Sequence, residues 1–154
     1  MQEHFFLPDS ESTEKFGAEL FTCLPEKALI FLHGDLGAGK TTLVRGLLRA
    51  AGVTGAIKSP TYALIEEYDI GDRKIFHFDL YRLAEADELE WIGIDDYLNQ
   101  NALCFIEWAE KGTGVLPDAD IHITLTNQDA GRLVQLRTTQ VIEKNDLMML
   151  VHRL

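Results

Sequence analysis

The run Gly34-Asp35-Leu36-Gly37-Ala38-Gly39-Lys40-Thr41 constrains this chain more than any other feature. It matches G-x-x-x-x-G-K-[ST] in full, between a short apolar stretch, Ala28–Leu32, and a helix-forming segment over 40–51 that Gly52 can stop. The glycines let the backbone curl until successive N–H groups point at one spot. The helix that follows directs its positive end at the same spot. Phosphate oxygens are the ligand such a cradle suits. The Lys40 ammonium can reach β- and γ-phosphates, and the Thr41 hydroxyl can enter the shell of Mg²⁺. A loop of this kind needs a buried strand before it and a helix after it, so an α/β fold is already implied.

The rest of the chain fits that frame. Its 154 residues suit one domain spanning 1–154, large enough to bury a core without disulfides. Residues 9–24 read as an amphipathic helix capped by Asp9, Ser10 or Ser12, with Phe16, Leu20 and Cys23 on one face. Residues 62–70 and 74–80 read as an antiparallel hairpin joined by Gly71-Asp72-Arg73. Residues 85–99 form an acidic helical segment broken near Gly93, and 102–106 (ALCFI) is a second buried strand. A Gly/Pro loop over 111–118 precedes alternating strands at 120–126 and 132–138, and a segment near 146–153 has no assignable type. This order predicts a P-loop NTPase-like, three-layer α/β domain whose sheet is mixed and partly antiparallel.

Mg²⁺ needs a second anchor, commonly a carboxylate ending an apolar strand beside the loop strand. Glu107, closing Leu103-Cys104-Phe105-Ile106, supplies one, with a longer arm than the more usual Asp. It can hold the metal directly, hold it through water, or orient an attacking water. Trp108 beside it reads as packing. Asp79, in His77-Phe78-Asp79-Leu80-Tyr81-Arg82, is the second candidate, for the metal shell or for water. Strand parity puts His77, Asp79 and Tyr81 on one face. Ser59-Pro60-Thr61-Tyr62 suits either a mobile loop that senses the γ-phosphate or a plain turn. The catalytic set is thus Lys40, Asp79 and Glu107.

Other features exclude classes. No Asn-Lys-x-Asp guanine reader occurs; Asn127-Gln128-Asp129 is the nearest run and does not match. Residues 83–110 contain no Lys or Arg, against the arginine-rich lid of a small-molecule kinase. ATP is therefore the expected nucleotide. A small-metabolite phosphotransferase and a nucleotide-dependent binding switch are the alternatives. The longest apolar run is far short of a membrane span, and the N-terminus lacks a basic-then-apolar signal, so a cytoplasmic protein with no membrane partner is expected. Cys23 and Cys104 have no metal spacing and read as buried thiols, a disulfide being the other option.

In order, GDLGAGKTT (34–42), KSPTY (58–62), HFDLYRL (77–83), an acidic helix ending near WIGI (91–94), IEW (106–108) and GTGVLPDADI (112–121) resemble the TsaE family. These are bacterial ATPases required for threonylcarbamoyl-adenosine modification of tRNA, and the likeness runs over roughly residues 7–135. The resemblance implies ATP and Mg²⁺ at Gly37, Ala38, Gly39, Lys40, Thr41 and Thr42, with Thr41 and Glu107 as the metal pair. It implies Asp79 near the phosphates, Thr13 near the adenine, Arg132 approaching the nucleotide, and the SPTY stretch as a switch-like loop. It also implies partners: the threonylcarbamoyl transferase subunit and that subunit's paralogous partner. On this reading the protein does not transfer the group itself. Its ATP cycle, with low intrinsic hydrolysis raised by the partners, supports turnover of their complex.

Charge bears on how tRNA would be met. Fourteen Lys and Arg against 25 Asp and Glu give −11, the wrong sign for a protein that holds nucleic acid by its overall field. Contact with tRNA is therefore expected only indirectly. From Leu36 to Ile65 there is no acid, while Lys40, Arg45, Arg49 and Lys58 are present. From Leu83 to Glu110 the pattern inverts to acids alone, which reads either as a solvated helix face or as a docking surface for a basic partner.

Overall fold

The computed structural model describes residues 2–139. Seven strands and four α-helices follow in order: β1 (Gln2–Leu7), α1 (Ser10–Cys23), β2 (Ala28–His33), α2 (Lys40–Ala51), β3 (Ile65–Ile70), β4 (Arg73–Asp79), α3 (Glu88–Trp91), α4 (Ile94–Leu98), β5 (Leu103–Glu107), β6 (Ile121–Gln128) and β7 (Gly131–Thr138). The strands form one seven-stranded sheet, ordered β1-β7-β6-β2-β5-β4-β3. Its centre is parallel, with β2 between β5 and β6 and β4 outside β5. Antiparallel pairs finish both sides: β3 on β4, and β7 on β6 followed by β1 on β7. The mixed, partly antiparallel sheet expected from the element order is what forms.

Two apolar layers make this a three-layer domain. Phe16 and Leu20 of α1 and Leu43, Leu47 and Leu48 of α2 pack on Ile30, Leu32, Phe105, Ile121 and Ile123. The other face carries Phe31, Phe76, Phe78, Cys104 and Ile106, covered by Leu80, Leu83, Leu89 and Ile94. Such alternation follows from strand parity, since neighbouring residues on a strand point to opposite faces. Helix α1 starts at Asp9, whose carboxylate accepts from the Ser12 N–H at 2.8 Å while Ser12 Oγ accepts from the Asp9 N–H. This capping box holds the Asp9 carboxyl below the usual carboxylate range. Helices α1 and α2 touch backbone to backbone: a Cβ at Gly17 would strike the Leu43 carbonyl, and one at Gly46 would strike that of Glu14. The crossing sets Gly17 against Leu43 and Glu14 against Gly46, leaving no room for a side chain at either glycine.

Several expectations shift. The hairpin strand begins at Ile65 rather than Tyr62, because the Leu64 N–H donates to the Pro60 carbonyl (2.9 Å) and Leu64 turns at φ 70°. The acidic segment does break at Gly93, but into two short helices starting only at Glu88, whose carboxylate accepts from the Ala84 and Glu85 N–H groups. Strand β1 was not expected. Only Phe5 and Leu7 turn inward there, too short an alternation to stand out in sequence. Cys23 and Cys104 are buried, form no disulfide and lie in the two opposite apolar layers. Burial pushes the Cys104 thiol up to about 12. The segment 146–153 lies outside the described residues.

Candidate functional site

The carboxyl ends of β2, β5 and β4 stand side by side, with Leu32 opposite Glu107 and Glu107 opposite Asp79. Chain order reverses around β2, which leads first toward β4 and β5 and then to β6 on its other side. Ligands of open α/β sheets bind at such a switch point. The loop from Gly34 to Gly39 starts here and enters α2 through Gly39 at φ 105°, where no side chain caps the helix. The first N–H groups of α2 therefore lack a side-chain acceptor. The φ of 105° at Gly39 favours glycine, and a Cβ there would press on the Arg132 side chain, 2.5 Å from Nε.

A cavity of about 240 Å³ opens over this loop. Of the residues singled out in sequence, Gly37, Gly39, Lys40, Thr41, Thr42, Asp79, Glu107 and Arg132 line it together, as do Ser59 and Thr61. Ala38 does not: its methyl is buried in the core behind the loop, and its N–H donates to the Asp35 carbonyl at 3.1 Å. Thr13 lies behind the cavity, fully buried, where its hydroxyl donates to the Asp9 carbonyl and accepts from Arg132 Nη1 at 3.0 Å.

Lys40 is buried and held three ways. Its ammonium donates to the Gly34 carbonyl at 2.7 Å, lies 3.7 Å from Glu107 Oε1, and sits 4.4 Å from the centre of the Trp108 ring. Trp108 adopts φ 59°, a left-handed turn for a bulky residue, and this brings its ring over the cation. Trp108 packs against the apolar layer, as expected, and also lines the cavity. Tyr81 departs from the expected polar row. Strand β4 ends at Asp79, and Tyr81 lies beyond it, exposed, against the Trp108 ring at 5.1 Å.

Both carboxylates are buried and oriented. Glu107 Oε2 accepts from His77 Nε2 at 2.7 Å. Asp79 Oδ1 accepts from the Tyr81 N–H at 2.9 Å and Oδ2 from the Thr61 hydroxyl at 3.1 Å, and Thr61 pairs with Ser59 at 2.9 Å. The Ser59-Pro60-Thr61 turn is thus tied to a cavity carboxylate, a link that sequence spacing does not reveal. Beyond the loop, His33 ends β2 and pairs with His122 at 2.9 Å, and burial holds both imidazoles below their usual range.

The residues present suit a phosphate chain with a divalent cation. The helix start is uncapped, Arg132 Nε is buried without a partner, and Gly37 and Gly39 face the cavity with no side chain. Among the described residues no group of three or more His, Cys, Asp or Glu could hold a metal alone.

Comparison with known proteins decides the family. The model described as "Threonylcarbamoyl adenosine biosynthesis protein TsaE" matches residues 7–134. The chain belongs to the TsaE family. The Haemophilus influenzae tRNA threonylcarbamoyladenosine biosynthesis protein TsaE is 50% identical over 145 residues, 91% of this chain and 92% of the relative. The TsaE of Synechocystis is 44% identical over 113 residues, 70% of each chain. Among solved structures, Bacillus subtilis YdiB superposes with a TM-score of 0.77 at 26% identity, covering 99% of this chain and 93% of that one. Family TsaE and the architecture described above therefore agree. No helix among the described residues is long and apolar enough to cross a membrane.

Proposed function

We propose that this protein binds Mg–ATP in the cleft between the Gly34–Thr41 loop and the ends of β4 and β5, and hydrolyses it slowly. That cycle supports turnover of the complex that threonylcarbamoylates adenosine in tRNA. The observation that carries the reading is the convergence of Lys40, Thr41, Asp79 and Glu107 on one cavity at an uncapped helix start, in a chain of the TsaE family. The protein acts as an accessory ATPase in the cytoplasm. Its partners are the transferase subunit and that subunit's paralogue, and they raise its low intrinsic hydrolysis. With a net charge of −11, it reaches tRNA through those partners.

The residues divide the work as follows. Backbone N–H groups of Gly37, Gly39, Lys40, Thr41 and Thr42 and the Lys40 ammonium hold the phosphates, Lys40 leaving the Gly34 carbonyl to do so. Thr41 and Glu107 hold the metal, directly or through water. Mg²⁺, when bound, neutralises charge that develops on the phosphate oxygens. Asp79 orients the attacking water. Its bond to Thr61 links it to the Ser59–Tyr62 turn, which then reports the γ-phosphate. Arg132 spans the loop and α1, with Thr13 behind it on the base side. The experiment that tests this incubates the purified protein with Mg–ATP and a cell metabolite extract. Free phosphate is the expected product; phosphorylated metabolite formed faster than free phosphate would establish a phosphotransferase instead.

A further inference from the structure

Two groups reach the Glu107 carboxylate, one on each oxygen: Lys40 Nζ stands 3.7 Å from Oε1 and His77 Nε2 stands 2.7 Å from Oε2. A carboxylate only accepts, so the proton of this short bond is on His77 Nε2 and the imidazole donates. His77 lies on β4 between Ile75 and Asp79, on the face turned toward α2, and is 1% exposed. Its Nδ1 is buried and has no partner. A histidine kept for packing satisfies both nitrogens or yields its place to an apolar side chain, as Ile75 fills the same strand face two residues earlier. What the imidazole adds here is one donor aimed at one oxygen of Glu107.

We propose that His77 is a positioning residue. It anchors Oε2 and so keeps Glu107 extended, with Oε1 on the Lys40 side of the cavity. The need for such an anchor follows from the residue at the end of β5. Glutamate has one more rotatable bond than the aspartate more usual there, so its free carboxylate samples more positions than a metal or an oriented water can use. Neighbours of this kind, one bond removed from the metal, typically change metal affinity about 10- to 100-fold when lost. The inference rests on reading Glu107 as the carboxylate that serves the metal.

The test measures Mn²⁺ affinity by electron paramagnetic resonance, using the protein saturated with a non-hydrolysable ATP analogue. Wild type is compared with His77→Phe, His77→Gln, His77→Asn and Glu107→Ala, each checked for folding by its melting curve. Gln carries an amide N–H close to the position of Nε2; Asn is too short to reach Oε2. His77→Phe and His77→Asn should weaken Mn²⁺ binding by about 10-fold or more. His77→Gln should recover most of that loss, and metal-free binding of the analogue should be unchanged in all three. If Glu107→Ala loses Mn²⁺ affinity while Asn and Gln behave alike, His77 is structural and the proposal is overturned. Should His77→Phe fail to fold, the Asn and Gln pair decides. If Glu107→Ala keeps wild-type Mn²⁺ affinity, the reading of Glu107 itself fails and takes this inference with it.

Discussion

Lys40 and Glu107 form a buried pair whose coupling can be estimated and measured. Their side chains are 6% and 4% exposed, and Nζ lies 3.7 Å from Oε1. At an effective dielectric of about 20, that separation corresponds to an attraction of about 4.5 kcal/mol. The net value is smaller because His77 still holds Oε2 when Lys40 is removed, and because Lys40 itself gives up hydration on burial. A coupling of about 2 kcal/mol is expected, below the roughly 3–5 kcal/mol lost when buried pairs without a second partner are broken. The perturbation is Lys40→Met and Glu107→Gln, singly and together, followed by urea denaturation without nucleotide. Each single variant should be destabilised, and the double variant should fall short of the sum by about 2 kcal/mol, equivalent to about 4–8 °C in melting temperature. Effects that add to within about 0.5 kcal/mol would refute the pair as a stabilising contact. They would also remove the argument that an incoming phosphate must draw Lys40 away from protein partners.

Other outcomes follow from the same geometry. Asp79→Ala should bind ATP nearly as well as wild type but hydrolyse it about 10²-fold more slowly, seen by comparing nucleotide titration with phosphate release; unchanged hydrolysis would take Asp79 out of the mechanism. The His33–His122 pair predicts a pH effect on stability. Both imidazoles are held below 6.5 by burial, with Arg137 also lowering both, Lys40 and Glu110 acting on His33, and Asp118 on His122. A depressed histidine keeps its stabilising contribution above the unfolded value and loses it as pH falls through that value toward the folded one. The urea midpoint should therefore drop between about pH 7 and 5.5, and the double variant His33→Phe/His122→Phe should flatten that drop. An equal slope in the variant would place the proton uptake elsewhere.

How far the site was legible in sequence depended on what each residue needs. The phosphate loop is a local, backbone-built device, so its glycines, Lys40 and Thr41 are readable from spacing alone. Glu107 and Asp79 were within reach because each ends an apolar strand, and strand ends on one side of a parallel sheet gather at one edge. The pairing of His77 with Glu107 was not, since it depends on the register of β4 against β5 across 30 residues. Trp108 packs as expected, but its contact with Lys40 has no sequence signal, because the ring reaches the cation only through the left-handed turn at φ 59°. Arg132 and Thr13 are reached only through family resemblance; their contact spans 119 residues and joins α1 to β7, which no local pattern encodes. Strand β1 was missed for a related reason: its fit depends on β7, which arrives last among the described strands.

The central claim is that a nucleotide cycle in this cleft sustains repeated threonylcarbamoylation of tRNA by partner enzymes. Multiple-turnover tRNA threonylcarbamoylation, reconstituted with the transferase subunits and with wild-type, Lys40→Met or no added protein, tests it most directly. Sustained product is expected with wild type, and product that stalls after the first turnover with Lys40→Met or without the protein. Equal product in all three reactions would contradict it.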